Sequence, residues 1–89
     1  MNEALLSLLE QKHVMRVLIV LKDAPSGFNL LQKRSSVNTA TLKSVLQLLE
    51  TKGYVNRMPC PVDKRCVGYE LSEKGQHLAL RVFDLLERL

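Results

Sequence analysis

The most reactive side chains in this sequence belong to two cysteines, Cys60 and Cys66, which are separated by five residues. The flanking patterns predict a β-hairpin in which the two cysteines border the tip. Cβ atoms that face each other across paired strands lie about 4.5–5.5 Å apart, which is close to disulfide geometry. Three states stay open: two reduced thiols, a structural or redox-sensing disulfide, or a metal site. Since the spacing is not that of a zinc finger and the only further candidate ligands are His13 and His77, no metal is predicted.

Motifs of catalysis are missing from the sequence. It contains no Gly-rich phosphate loop, no His-Glu-x-x-His motif and no pairing of a nucleophile with an activating base. We therefore expect a protein that is not an enzyme and that uses no cofactor.

Length and composition are those of one small globular domain spanning residues 1–89. Apolar residues make up 46% of the chain and charged residues 25%. The longest apolar run, from Val14 to Leu21, is interrupted by Arg16 and is too short to cross a bilayer. No signal peptide is visible at the start, which carries Glu3. These features predict a cytoplasmic protein that does not bind membranes.

The positive charge is concentrated in the middle of the chain. Residues 29–66 contain seven basic and two acidic side chains, a net charge of +5, whereas the whole chain has +4. A local basic surface favours a polyanionic partner, and double-stranded DNA is the partner predicted. The alternative from charge alone is an ordinary solvated face.

Hydrophobic periodicity predicts helices in the first half of the chain. Residues 3–22 form either one helix or two with a bend near residue 12, and Pro25 to Gly27 end this region. Phe28 stands alone as an apolar anchor, in a very short strand. Asn29 followed by Gln32 resembles a capping box, which predicts a short helix from Leu30 to Ser35.

The second half combines a long helix, a hairpin and a last helix. Asn38 is the expected cap of the long helix, which ends at Lys52 because Gly53 suits a left-handed position. The period then changes to two, predicting a hairpin over residues 54–71. Ser72 is the expected cap of the last helix, which continues to the end of the sequence.

This order of elements is that of a winged helix-turn-helix. Residues 37–55 resemble the recognition helix and following strand of the MarR and HxlR groups of transcriptional regulators. Residues 69–75 resemble their Tyr-x-Leu-Thr-x-x-Gly junction, and residues 27–29 resemble the short strand before their helix-turn-helix. The resemblance implies a mainly α fold with a small β-hairpin wing. The helix-turn-helix would cover about 29–53, the wing about 54–71 and the C-terminal helix about 72–89.

The sequence departs from this family pattern in the first helix of the helix-turn-helix. Gln32, Ser35 and Ser36 stand where those regulators usually carry Ala, a core Leu and a turn Gly. We expect these residues to affect how the two helices pack and how the turn is formed. The chain also lacks the longer helices that form the dimer in larger MarR-type proteins, so an effector pocket built from such helices is not expected.

These observations predict sequence-specific binding of double-stranded DNA by a small dimeric transcriptional regulator. The recognition helix, residues 39–52, would enter the major groove, and the hairpin would contact the backbone or the minor groove. The candidate DNA-binding residues are Lys33, Arg34, Asn38, Thr39, Lys43, Ser44, Gln47, Lys64 and Arg65. The alternative is a winged helix that binds proteins in a transcription or replication assembly, a role that does not require the charge of +5.

A homodimer is expected to form through the first and last helices, whose apolar stripes exceed what one small core can cover. The predicted interface residues are Leu5, Leu8, Leu9, Leu78, Val82, Leu85, Leu86 and Leu89. The alternative is that both stripes pack within one chain.

Overall fold

A computed structural model describes residues 2–59 and 67–89. These residues form five α-helices and a three-stranded sheet. In chain order the elements are α1 (Glu3–Glu10), α2 (Val14–Asp23), β1 (Ser26–Gly27), α3 (Phe28–Ser35), α4 (Thr39–Thr51), β2 (Val55–Pro59), β3 (Val67–Leu71) and α5 (Glu73–Glu87). None of the helices in the described ranges is long and apolar enough to span a membrane. The mainly α winged-helix architecture predicted from the sequence is confirmed.

The helical region is interrupted at His13, between α1 and α2. The sequence left one helix or two open, and the structure has two because His13 adopts a left-handed backbone conformation, with φ of 70°. Asn2 caps α1 by accepting a hydrogen bond from the Leu5 N–H at 2.9 Å. Helices α1 and α2 are therefore separate elements, and α2 continues into the core.

The core is aliphatic and is centred on α2. Val14, Val17, Leu18 and Leu21 give this helix an almost fully buried face. Against it pack α5, α3 and the inner face of α4. Because α2 contacts several other elements, it is the scaffold on which the helix-turn-helix is held.

The sheet is antiparallel, with β3 between β1 and β2. Ser26 pairs with Tyr69 on one side, and Val55 pairs with Leu71 on the other. The predicted hairpin is thus present in its strands. Its tip falls outside the described residues, and with it the predictions for Cys60, Lys64, Arg65 and Cys66.

The start of α3 differs from the expectation. The helix begins at Phe28 rather than Leu30, and its N-cap is Gly27 with no side-chain capping bond. Asn29 therefore lies in the first turn, and the predicted capping box is wrong. The physical reason is the pairing of Gly27 with β3, which fixes the chain up to that residue and lets the helix begin at once. Phe28 is accordingly helical and not part of the strand.

The residues assigned to a dimer interface divide into three groups by their burial in the single chain. Leu8, Leu78 and Val82 are buried in the core of the single chain, so their assignment to a free surface was wrong. They are buried because α1 and α5 use these positions to pack on the domain itself. Leu5 and Leu9 are partly buried against the same core. The exposed members are Leu85, Leu86 and Leu89.

Candidate nucleic-acid interface

Helix α4 presents one apolar and one polar face. Its inner face buries Leu42, Val45, Leu46 and Leu49 in the core. The outer face is exposed and carries Thr39, Ala40, Lys43, Ser44 and Gln47. These are the outward positions expected from the sequence, and they are short, polar or cationic.

The N-terminal end of α4 is held by a cap and by a bond to α3. The Asn38 side chain accepts a hydrogen bond from the Thr41 N–H at 2.9 Å, as predicted for the cap. The Gln32 amide of α3 donates to the Thr39 hydroxyl at 2.7 Å. This bond ties the two helices of the helix-turn-helix together at the start of α4. Sequence reasoning missed it, because the two residues belong to different helices and neither carries a pairing motif.

The turn between α3 and α4 contains Ser36, one of the positions at which the sequence departs from the pattern that it resembles. Ser36 has φ of 58° and ψ of 32°, a left-handed conformation, and its N–H donates to the Gln32 carbonyl at 2.9 Å. The neighbouring Ser35 is fully buried, and its hydroxyl lies 3.4 Å from the same carbonyl. The turn therefore adopts a left-handed conformation with serine rather than glycine, at the cost of backbone strain at Ser36.

The C-terminal end of α4 is fastened to the start of α5. Gly53 ends the helix with φ of 84°, as the sequence predicted. The Ser72 hydroxyl donates to the Gly53 carbonyl at 2.6 Å, and the Ser72 N–H donates to the Tyr54 carbonyl at 3.0 Å. The Lys74 ammonium donates to the Lys52 carbonyl at 3.1 Å and lies 4.4 Å from the centre of the Tyr54 ring. Both ends of α4 are thus fixed, which gives its outer face a defined orientation.

A groove separates the outer face of α4 from the hairpin strands. Its lining residues are Lys43, Gln47, Glu50, Thr51, Arg57, Val67 and Tyr69. Across it the Arg57 guanidinium of β2 forms an ion pair with the Glu50 carboxylate of α4 at 3.4 Å. The two residues are partly exposed, so the pair adds little to stability, but it limits where the Arg57 charge can lie.

The two basic residues at the end of α3 differ in their surroundings. Arg34 forms an ion pair with Asp23 of α2 at 3.3 Å, so its charge is partly neutralised. Lys33 is exposed, and within residues 2–59 and 67–89 it has no acidic partner. The same is true of Lys43 on α4. Among the predicted cations in the described part of the chain, Lys33 and Lys43 therefore have charge that is available to a polyanion.

Comparisons with known proteins agree with this geometry. Residues 8–88 match the model of the HxlR-like helix-turn-helix family. The reduced form of the transcriptional regulator YodB from B. subtilis superposes with a TM-score of 0.81 at 28% identity, covering 97% of this chain and 84% of that one. The reduced form of MarR from E. coli superposes with a TM-score of 0.82 at 31% identity, covering 97% of this chain and 64% of that one.

This chain thus spans less than two thirds of the length of MarR. ZitR from Lactococcus lactis, at 18% identity and a TM-score of 0.81, shares the fold. A comparison with curated proteins gave no match. Since the family model covers all of the chain except its first seven residues and its last residue, the chain belongs to the HxlR-like helix-turn-helix family, with the winged helix-turn-helix fold of MarR- and HxlR-type transcriptional regulators.

Proposed function

We propose that this protein is a transcriptional regulator that binds specific sites in double-stranded DNA as a homodimer, with α4 in the major groove. The observation that carries the proposal is the exposed polar face of α4 on a helix fixed at both ends. An α-helix fits the major groove, where side chains from its first turns reach base edges. Thr39, Lys43, Ser44 and Gln47 lie on that face.

Each side chain on this face suits a particular contact. Lys43 donates hydrogen bonds and matches the acceptors of guanine, while the Ser44 hydroxyl accepts or donates. Gln47 lies one turn further on and matches the donor and acceptor pair of adenine. Asn38 and Thr39, at the positive end of the helix dipole, suit a phosphate or a base at the edge of the groove.

Phosphate contacts would come from the cations around this face. Lys33 at the end of α3 is exposed and without an acidic partner in the described part of the chain. Arg34 shares its charge with Asp23, so we assign it a weaker role. Lys64 and Arg65 are proposed as hairpin contacts from their place in the sequence alone.

The proposed dimer rests on an apolar surface at the end of α5. Leu85 is 59% exposed, Leu86 49% and Leu89 93%. Leu86 also borders a groove with Met15 and Ile19 of α2, which is lined by Arg16 and Arg34 as well, so the apolar surface extends across two helices with cations beside it. A contiguous surface of this kind is costly on a monomer. We propose that a second copy of the chain covers it, which would present two recognition helices to two half-sites.

Sedimentation velocity at tens of micromolar tests the dimer. The wild type is expected to sediment as a dimer and Leu86→Glu as a monomer, since a carboxylate would have to be buried in the interface. Leu30→Glu, at an exposed leucine of α3, serves as the control and is expected to remain dimeric. A monomeric wild type would remove the dimer from the proposal.

Fluorescence anisotropy with a short random-sequence duplex tests DNA binding itself. The dissociation constant is expected to rise steeply with salt, because each phosphate contact releases a counterion. A binding curve that does not depend on salt, or no binding at all, would contradict the proposal. The alternative role as a protein-binding winged helix would then be the better account.

A further inference from the structure

The turn between α1 and α2 lies beside α4. Gln11 and Lys12 of this turn share a surface depression with Thr41, Ser44, Val45 and Leu48 of α4. From the sequence, these residues marked only a possible bend near residue 12. In the structure they border the N-terminal half of the helix that carries the candidate base-reading residues.

The position of this turn is well defined by its backbone bonds. The Gln11 N–H donates to the Leu8 carbonyl at 3.1 Å, and the Val17 N–H donates to the His13 carbonyl at 3.1 Å. Leu8 before the turn and Val14 after it are buried in the core. Lys12 between them is exposed, and in residues 2–59 and 67–89 its ammonium has no hydrogen bond or ion pair. The chain thus holds a free cation at a fixed place next to α4.

The turn and the hairpin flank α4 on opposite sides. Lys43 and Glu50 point toward the hairpin groove, whereas Thr41 and Leu48 point toward the α1–α2 turn. Ala40, Ser44 and Gln47 lie between these two directions at the helical angle of about 100° per residue. A helix about 10–12 Å wide fills a major groove about 12 Å wide, so one phosphate strand runs along each side of it.

We propose that Lys12 binds a phosphate of the DNA strand that borders the major groove on the side opposite the hairpin. The inference rests on the proposed DNA-binding function and extends it to an element outside the helix-turn-helix. Contacts on both sides of α4 would fix how far the helix rotates about its own axis in the groove. Lys12 is therefore a positioning residue as well as a source of affinity.

The test measures binding to a short random-sequence duplex across a salt series by fluorescence anisotropy, for the wild type and three variants. Lys12→Gln removes the proposed contact, and Lys12→Arg keeps the charge. Arg81→Gln is the matched control: it removes one charge from an exposed residue of α5 that borders neither the hairpin groove nor the depression beside the α1–α2 turn. Circular dichroism confirms that each variant is folded.

Lys12→Gln is expected to reduce the magnitude of the slope of log K against log salt by about 0.9 for each protomer bound to the duplex, the value for one lost phosphate contact. For each lost contact, its deficit in affinity relative to the wild type therefore shrinks about threefold between about 50 and 200 mM salt. Lys12→Arg and Arg81→Gln are expected to keep the wild-type slope. If Lys12→Gln and Arg81→Gln behave alike while the wild type binds DNA, the role of Lys12 is refuted and the proposed function stands. If the wild type itself does not bind, the proposed function fails.

Discussion

Gly75 of α5 lies directly against the main-chain carbonyl of Tyr54, so closely that a Cβ atom at this position would overlap the carbonyl oxygen. The same carbonyl accepts the Ser72 N–H at 3.0 Å, so it cannot move away without losing that bond. This contact joins the segment that follows α4 to the last helix. The glycine is required by the close approach of two backbones, not by an unusual φ.

Gly75→Ala is expected to lower the free energy of unfolding by about 3 kcal/mol, the upper end of the cost of overpacking. Urea denaturation followed by circular dichroism measures it. Gly53→Ala is the control, because Gly53 has φ of 84° but open space around it. That change should cost only about 1 kcal/mol, from backbone strain alone. Equal losses for the two variants would contradict the close packing at Gly75.

Ser36→Gly is expected to stabilise the protein. Ser36 is held at φ of 58°, where a residue with a Cβ atom is strained and glycine is not. Relief of that strain exceeds the added entropy of the unfolded glycine chain, and the net gain should be about 0.5–1 kcal/mol.

The matched control is Ser7→Gly, at an exposed position within α1. There the same substitution should destabilise by about 0.5 kcal/mol, because glycine is the poorer helix former. The two variants thus differ in sign in one denaturation experiment. A loss of stability at both positions would show that Ser36 is not strained.

Glu50→Gln is expected to strengthen binding to all DNA sequences. The Glu50 carboxylate pairs with Arg57 at 3.4 Å and adds negative charge beside the face proposed to meet DNA. Its removal frees the guanidinium for phosphate and should steepen the salt dependence by up to about one contact. Stability should change by less than about 1 kcal/mol, since the pair is exposed.

Anisotropy with a random duplex measures this effect, and Glu3→Gln, at an exposed position of α1, is the control that removes an equal charge elsewhere. An equal gain in affinity for both variants would show that the effect comes from the change in net charge alone. A loss of affinity for Glu50→Gln would mean instead that the carboxylate itself contacts DNA.

The sequence predicted most of the fold because its strongest signals are local. The Asn38 and Ser72 caps, the left-handed Gly53 and the alternation over the hairpin strands all depend on neighbours within a few residues. The predicted start of α3 was wrong because the place where this helix begins is determined by pairing between Gly27 and Gly68, which lie far apart in the chain. The helix-capping tendencies of Asn29 and Gln32 carry no information about such a distant contact.

The sequence predicted which side chains of α4 are exposed in the candidate interface, but not the contacts that join α4 to other elements. Helical periodicity placed Lys43, Ser44 and Gln47 on the exposed side. The Glu50–Arg57 pair and the bond from Gln32 to Thr39 join different elements, so only their packing reveals them. The dimer assignment included Leu8, Leu78 and Val82 because periodicity cannot tell a core position from an interface position. The roles of Cys60 and Cys66 stay predictions.

The most direct test of the account is the discrimination between DNA sequences by the outer face of α4. A preferred duplex is first selected with the wild-type protein from a random pool. Dissociation constants for that duplex and a scrambled one are then measured for the wild type, Lys43→Ala, Ser44→Ala and the control Arg81→Ala, which removes an exposed charge from α5.

Lys43→Ala and Ser44→Ala are each expected to weaken binding to the preferred duplex by about 1–3 kcal/mol. The ratio of the dissociation constants for the scrambled and the preferred duplex should fall as well, because base contacts produce the discrimination between sequences. Arg81→Ala should leave this ratio unchanged. If both α4 variants bind the two duplexes as tightly as the wild type does, then α4 does not read DNA and the central claim is wrong.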